Sequence, residues 1–245
     1  MKMPSKKWIS VGAAGCGVAL IVLVAVKAAL ARASSTDDLI PVEKLKDLRA
    51  PAAAGAAAAP AGPIDLLDLI QPSRDGVAGT WGFHERSLYT PPVRFGRLQV
   101  PVVPPEEYDL KFDVTRRRGT ECFAIGFVYG GKQGMIILDG FEGTTNWNTL
   151  AGSASDGGNE TRVVGKQLKW GRPTKVSVFV RKTGVSVTVD AHTVLDWKGS
   201  AADLDLDPAF LVPDRKSLML GTQDTVFRID EATLTPVTGQ PTLLR

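Results

Sequence analysis

Residues 175–197 read KVSVFVRKTGVSVTVDAHTVLDW, and this stretch decides the fold class. Valine occupies every second position in two runs, at 176, 178 and 180 and again at 185, 187 and 189. Such alternation is typical of a strand with one buried and one solvated face. Short turns separate the runs, KTG and then DAHT, so the stretch predicts three antiparallel strands joined as hairpins.

The same period of two recurs through most of the chain. Large apolar residues alternate with polar ones over 108–115 and with small ones over 122–129, and 135–138 is a continuous apolar run that predicts a strand covered on both faces. Further short strands are predicted at 80–81, 87–90, 97–100, 218–220 and 226–229. About ten short strands without a helical period indicate an all-β fold, a two-sheet antiparallel jelly-roll sandwich.

The N-terminal region differs in composition from the rest of the chain. Residues 8–26 contain no charged side chain, and Lys2, Lys6 and Lys7 precede them. One hypothesis is a single transmembrane anchor, which places the rest of a single-pass cell-membrane protein outside the cytoplasm. The other is a signal peptide cleaved after the small-residue motif at 31–33, which gives a secreted or periplasmic protein. The apolar run exceeds the usual ~7–15 residues of a signal peptide, which favours the anchor.

Composition divides the chain into four parts. Residues 1–33 are the signal peptide or anchor, and 34–63 are a juxtamembrane segment followed by a linker of alanine, proline and glycine that cannot form a core. The sandwich is predicted over 64–237, with a C-terminal tail at 238–245. Cys16 lies in the leader, so Cys122 has no disulfide partner within the sandwich and is interpreted as a small buried apolar residue.

The charge distribution argues against a nucleic-acid partner. The chain has a formal net charge of +3, but residues 1–63 contain eight of the 29 basic and four of the 26 acidic residues, which leaves 21 basic and 22 acidic residues for 64–245. A domain with a net charge of −1 lacks the long-range field that drives binding to nucleic acid. The one dense basic cluster, Arg116-Arg117-Arg118, is interpreted as a solvated turn, with an anion contact as the alternative.

Several short motifs together resemble a known family. They are PIDLL at 63–67, GTW at 79–81, PPEEYDL at 104–110, ILDG at 137–140, NET at 159–161, VD at 189–190 and DW at 196–197. With them, residues 64–237 resemble the concanavalin A-like (LamG-like) jelly-roll domains of exported bacterial proteins. The resemblance implies two curved antiparallel sheets and, by analogy, glycan recognition. Lectins, glycosidases and structural modules share this scaffold, so the fold alone does not assign a function.

The sequence assigns no catalytic residue. Retaining glycosidases of this fold carry a Glu-x-Asp-x-Glu strand, and no such spacing occurs. The alternating Asp203, Asp205 and Asp207 are interpreted as an acidic loop, with a Ca²⁺ site or catalysis as the alternatives. No specific metal motif is present, so no cofactor is predicted. A glycoside-processing hydrolase is the runner-up, with Asp139, Glu142 and Asp196 as candidate carboxylates.

The predicted ligand site is the polar loop from Asp139 to Thr161. Its candidate ligand-binding residues are Trp147, Asn146, Asn148, Asp139, Glu142 and Asn159. An indole face can pack against the C–H side of a sugar ring, while amides and carboxylates bind the hydroxyl groups. The alternative is that Trp147 only caps one end of the sandwich. Trp81, Trp170 and Trp197 are predicted to lie in the core.

Together these patterns predict a membrane-tethered, extracytoplasmic and non-catalytic module that binds a glycan or an envelope protein. A purely structural envelope module is the third hypothesis.

Overall fold

The computed structural model describes residues 62–141, 143–147, 149–154 and 159–245. The predicted leader and nearly all of the predicted linker lie outside the described residues, as do Glu142 and Asn148. In the described part, each α-helix has four residues, and no helix there is long and apolar enough to cross a bilayer.

The described residues form twenty strands, two short α-helices and two 3-10 turns. In chain order the strands are β1 (Ile64–Asp65), β2 (Gly76–Ala78), β3 (Gly82–His84), β4 (Ser87–Tyr89), β5 (Gly96–Val100), β6 (Val102–Val103), β7 (Glu107–Arg118), β8 (Phe123–Tyr129), β9 (Lys132–Gly140), β10 (Thr144–Trp147), β11 (Thr149–Leu150), β12 (Ser153–Ala154), β13 (Val163–Val164), β14 (Pro173–Arg181), β15 (Gly184–Val189), β16 (His192–Trp197), β17 (Leu204–Asp205), β18 (Leu218–Thr222), β19 (Val226–Thr238) and β20 (Thr242–Leu243). The helices are α1 (Leu66–Leu69) and α2 (Pro72–Asp75), and the 3-10 turns are Ala201–Asp203 and Pro208–Phe210.

Two antiparallel sheets make up the body of the protein. Sheet A has the order β16-β15-β14-β7-β19-β4-β3, with β1 beside β19, and sheet B has the order β13-β10-β9-β8-β18-β5-β2. Strands β11, β12 and β17 form a small third sheet, and β20 pairs with β6. The prediction of an all-β, two-sheet antiparallel sandwich is confirmed.

The alternation of valines in 175–197 produces the buried face of sheet A. Val176, Val178 and Val180 of β14 are fully buried, and register pairs place Val176 opposite Val189 and Val178 opposite Val187 on β15. Intervening residues of these strands are half-buried or exposed. Because successive side chains of a strand point to opposite faces, the valines align on the inner face and pack against sheet B.

The outer face of sheet B is also covered. Met135, Ile137 and Met219 lie on that face and pack with Phe210 and Val212, which belong to the segment that crosses it. This second apolar cluster explains why 135–138 is continuously apolar: β9 is buried on both faces, as predicted.

Tyr108 connects the two layers. Its side chain is fully buried, its hydroxyl donates to the Val128 carbonyl oxygen at 2.9 Å, and the Val128 N–H donates to the same hydroxyl at 2.8 Å. Burial raises the pKa of the Tyr108 phenol well above its ordinary value, so the hydroxyl stays a donor throughout the physiological range.

Several local predictions differ from the structure. Thr80 and Trp81 precede β3 and are not part of a strand. The arginine cluster does not form a turn: Arg116, Arg117 and Arg118 end β7. Residues 238–245, predicted to be a tail, contain β20 and pack on the sandwich through its pairing with β6.

Cys122 is buried, and burial raises the pKa of its thiol to about 12. An unfolded thiol ionises near pH 8.5, so this group favours the folded state fully below that pH, and its contribution is lost as the pH rises towards 12. In a Cys16→Ser variant, we expect Cys122 to react with a disulfide reagent at pH 8 at least ~100-fold more slowly in the folded protein than in guanidinium. Rapid stoichiometric labelling of the folded protein would contradict this burial.

Candidate functional site

Strand β10, which lies in the predicted ligand loop, folds back on β9 of the sandwich. Strand β10 pairs with β9, and the register places Trp147 opposite Ile136, whose side chain belongs to the core. Trp147 is fully buried, and its ring centroid lies 5.0 Å from that of Phe127 and 6.1 Å from that of Trp197. Its burial supports packing at one end of the sandwich, the alternative given above, because the indole face is not available to a sugar.

Asp139 is likewise fully buried. Its carboxylate accepts hydrogen bonds from Arg116 Nη2 at 2.9 Å, from the Gln167 N–H at 2.6 Å and from the Leu168 N–H at 2.9 Å. Arg116 is 4% exposed and also donates to the Glu121 carbonyl oxygen at 2.6 Å. The pair joins β7 to β9, and the interpretation of Arg116 as part of a solvated turn is wrong. Asp139 therefore holds the fold together and has no free oxygen facing a ligand.

Asn159 and Thr161 hold the end of this loop in place. Asn159 Nδ2 donates to the Trp147 carbonyl oxygen at 3.0 Å, and the Asn159 Oδ1 accepts from the Thr161 N–H at 3.2 Å. The Trp147 N–H donates to Thr161 Oγ1 at 3.0 Å. The NET motif thus forms a turn that positions Glu160 and Arg162. Glu142, Asn148 and the side chain of Asn146 lie outside the described part of the chain.

Beside this turn lies a cleft of about 390 Å³. It lies between 160–163, which leads into the edge strand β13 of sheet B, and 194–198, which belongs largely to the edge strand β16 of sheet A. Its lining residues are Glu160, Thr161, Arg162, Val163, Val194, Leu195, Asp196, Trp197 and Lys198. Its volume lies within the range of roughly 300–1,000 Å³ found for small-molecule sites.

Both charged and apolar side chains line the cleft. Asp196 and Lys198 flank the buried Trp197 on β16, are 59% and 72% exposed, and approach each other to 3.8 Å. Glu160 and Arg162 flank the buried Thr161 on the opposite wall and are also exposed. Each wall therefore offers one carboxylate acceptor and one cationic donor, with a buried side chain, Thr161 or Trp197, between them.

The sequence identifies only part of this cleft. Asp196 is a candidate carboxylate for the hydrolase, and the predicted polar loop contains Glu160 and Thr161, but the sequence does not single out Glu160, Arg162 or Lys198 as site residues. A signal for them does exist, since both walls have the pattern of charged residues on either side of a buried one. The pattern does not show that the two walls face each other.

A second polar surface covers the outer face of sheet A. Asp113 of β7 lies between Lys175 of β14 and Glu231 of β19 in the strand register. Desolvation and the neighbouring Asp230 raise the pKa of Asp113 above its ordinary value. This surface is the face of a sheet, whereas the cleft is concave, and we therefore take the cleft as the candidate ligand site.

The remaining candidates have local roles. Asp203 caps a 3-10 turn together with Ser200, Asp205 accepts from Arg215 Nη2 at 3.3 Å, and Asp207 accepts from the Ala209 N–H at 2.8 Å. In the described ranges, no group of three or more His, Cys, Asp or Glu side chains is arranged to hold a metal ion.

No protein-family model matches this sequence, and no curated protein matches it. Similar solved structures include a carbohydrate-binding module, CBM66, from Bacillus subtilis, at 10% identity and a TM-score of 0.45 over 65% of this chain and 93% of that one. The galectin LEC-6 of Caenorhabditis elegans has 14% identity and a TM-score of 0.37 over 63% and 99%. The exoplasmic/lumenal domain of VIP36, bound to Ca²⁺ and Man3GlcNAc, has 12% identity and a TM-score of 0.47 over 72% and 97%.

These structures are β-sandwiches of galectin-like and lectin-like type. At such identities and TM-scores the likeness concerns the fold and does not indicate a ligand for this chain. Membership of the LamG-like family of exported proteins stays a prediction.

Proposed function

We propose that the sandwich is a non-catalytic carbohydrate-binding module that takes its ligand in the cleft between β13 and β16. The cleft itself carries this proposal: each of its two walls presents a carboxylate, a cation and at least one apolar side chain. Sugars offer hydroxyl groups that both donate and accept hydrogen bonds, next to apolar C–H faces. A lining that combines Glu160, Arg162 and Asp196 with Val194 matches both kinds of surface.

The location of the module is part of the proposal. The charge-free run at 8–26 with lysines before it supports a membrane anchor, and the alanine- and proline-rich linker supports a spacer that holds the module away from the membrane. A module tethered in this way would meet glycans or envelope proteins outside the cytoplasm.

Asp196→Ala tests the cleft directly. Removing a charged acceptor from a sugar hydroxyl is expected to weaken glycan binding about 10-fold or more. The loss of an exposed contact at 3.8 Å to Lys198 should change the free energy of unfolding by less than about 1 kcal/mol. Binding is measured first on a glycan array and then by calorimetry with the best glycan.

Glu106→Ala is a matched control, because Glu106 and Lys182 form a comparably exposed pair at 3.2 Å outside the cleft. Equal binding by Asp196→Ala and the wild type, or equal loss in the Glu106→Ala control, would rule out the cleft as the glycan site.

The hydrolase is the second candidate, because Glu160 and Asp196 both line the cleft from opposite walls. Glycosidases act with two carboxyl groups about 5–10 Å apart on either side of the bond. Turnover of a panel of labelled glycosides that is lost in both Glu160→Gln and Asp196→Asn, while binding persists, would favour the enzyme over the binding module.

A further inference from the structure

Trp170 differs from the other described tryptophans in its exposure. Its side chain is 62% exposed, whereas Trp81, Trp147 and Trp197 are 6% exposed or less. The prediction that Trp170 lies in the core is wrong. Core packing therefore does not explain this indole, and an exposed tryptophan presents a large apolar face and an N–H donor to a ligand.

The backbone around Trp170 is nevertheless held firmly. The Gly171 N–H donates to the Arg116 carbonyl oxygen at 3.0 Å, and Trp170 itself forms a β-bridge with Arg116. Earlier in the same loop, the N–H groups of Gln167 and Leu168 donate to the buried Asp139 carboxylate. A ligand that meets an exposed side chain on a fixed backbone needs to order little of the loop.

Cations surround this loop. Residues 165–172 contain Lys166, Lys169 and Arg172 and no Asp or Glu, and Arg117 and Arg118 follow the bridged Arg116 on β7. Lys169 is paired with Asp190 at 2.5 Å. In contrast, Arg117, Arg118 and Arg172 are exposed and form no ion pair with any carboxylate in the described part of the chain.

We propose that Trp170, Arg117, Arg118 and Arg172 form a second binding surface, which recognises an anionic polysaccharide. A sugar ring packs on the indole, and the guanidinium groups pair with the carboxylates or sulfates of neighbouring sugars. The inference rests on the proposed carbohydrate binding and adds a ligand class to it, at a surface that shares no residue with the cleft.

The charge balance favours a single polysaccharide chain over a broad anionic surface. Residues 64–245 carry a net charge of −1, so the cations of this surface are offset by acidic residues elsewhere on the same domain. A membrane or a nucleic-acid duplex is wide enough to meet acidic residues of the domain as well, whereas one chain can contact the cationic surface alone.

The test is calorimetric titration of the purified full-length protein with polygalacturonate and with dextran sulfate, using neutral dextran as the uncharged control. We expect binding to the polyanions, little binding to dextran, and at least ~10-fold weaker binding when sodium chloride rises from 50 to 500 mM. Trp170→Ala is expected to weaken polyanion binding about 10-fold without changing the unfolding temperature, because the indole is exposed.

Arg117→Ala and Lys216→Ala remove the same charge from different surfaces, since Lys216 is exposed and lies in the loop before β18. Weaker binding in Arg117→Ala alone supports the proposal. The proposal is overturned if Trp170→Ala binds the polyanions as tightly as the wild type, or if Arg117→Ala and Lys216→Ala weaken binding equally. It is also overturned if the protein binds duplex DNA or phosphatidylglycerol vesicles through Trp170 and does not bind the polysaccharides.

The two carbohydrate proposals can fail separately. Asp196→Ala should leave polyanion binding intact, and Trp170→Ala should leave binding of a neutral glycan in the cleft intact. Loss of polyanion binding in Asp196→Ala would place the polyanion in the cleft and overturn the second surface. If the protein binds no neutral glycan on the array but binds polyanions through Trp170, the cleft proposal alone is wrong.

Discussion

Replacing Arg116 by alanine is expected to lower the free energy of unfolding by about 3–5 kcal/mol. The change leaves the Asp139 carboxylate fully buried and without its cationic partner. It also removes the guanidinium group that lies 4.9 Å from the centroid of the Phe227 ring. A buried charge without its partner is costly because the protein interior solvates it poorly.

Arg117→Ala is the matched control for this prediction. Arg117 is the next residue of the same strand and is exposed, so its removal should change stability by less than about 0.5 kcal/mol. Urea unfolding followed by tryptophan fluorescence measures both variants. If the two variants unfold at the same urea concentration, the Arg116–Asp139 pair does not stabilise the fold.

Trp147→Ala is expected to cost about 3–5 kcal/mol. The indole is fully buried between the rings of Phe127 and Trp197, so its removal leaves a large cavity at one end of the sandwich. Trp197 lines the cleft and packs on Trp147. Glycan binding should therefore weaken only to the extent that Trp197 shifts when the indole of Trp147 is removed.

Trp170→Ala removes the same side chain from an exposed position and should leave stability within about 0.5 kcal/mol of the wild type. Thermal unfolding of the two variants compares them directly. A Trp147→Ala protein that unfolds at the wild-type temperature and binds no glycan would restore the interpretation of Trp147 as a ligand platform.

The strands could be predicted because their signal is local. In β7 the large apolar residues at 108, 110, 112 and 114 all face the core, as the alternation indicates. Continuing the same period by one step places Arg116 on the inner face, although three consecutive arginines suggested a solvated turn. The period of two therefore indicates the correct face for Arg116. Its positive charge suggests solvent exposure instead, because the carboxylate that compensates the charge comes from the other sheet and is not apparent in the sequence.

The candidate site was harder to predict because it depends on residues that are distant in the sequence. Trp147 lies between two asparagines and Trp170 between a lysine and a glycine, so both are in polar stretches. Trp147 is nevertheless buried and Trp170 exposed. What separates them is the pairing of β10 with β9, which turns Trp147 inward, and the bridge of Trp170 to the end of β7. Neither contact has a local sequence signature.

By itself, the sequence determined the all-β class, the inner faces of β7, β14 and β15 and the charge balance of the domain, since these depend on side-chain period and composition. Only the tertiary structure brought the turn at 160–162 alongside the edge strand β16 to form a cleft, and only it selected which arginine is buried and which indole is exposed. The physical reason is that burial and charge pairing depend on which segments become neighbours across two sheets, and the period along one strand does not contain that information.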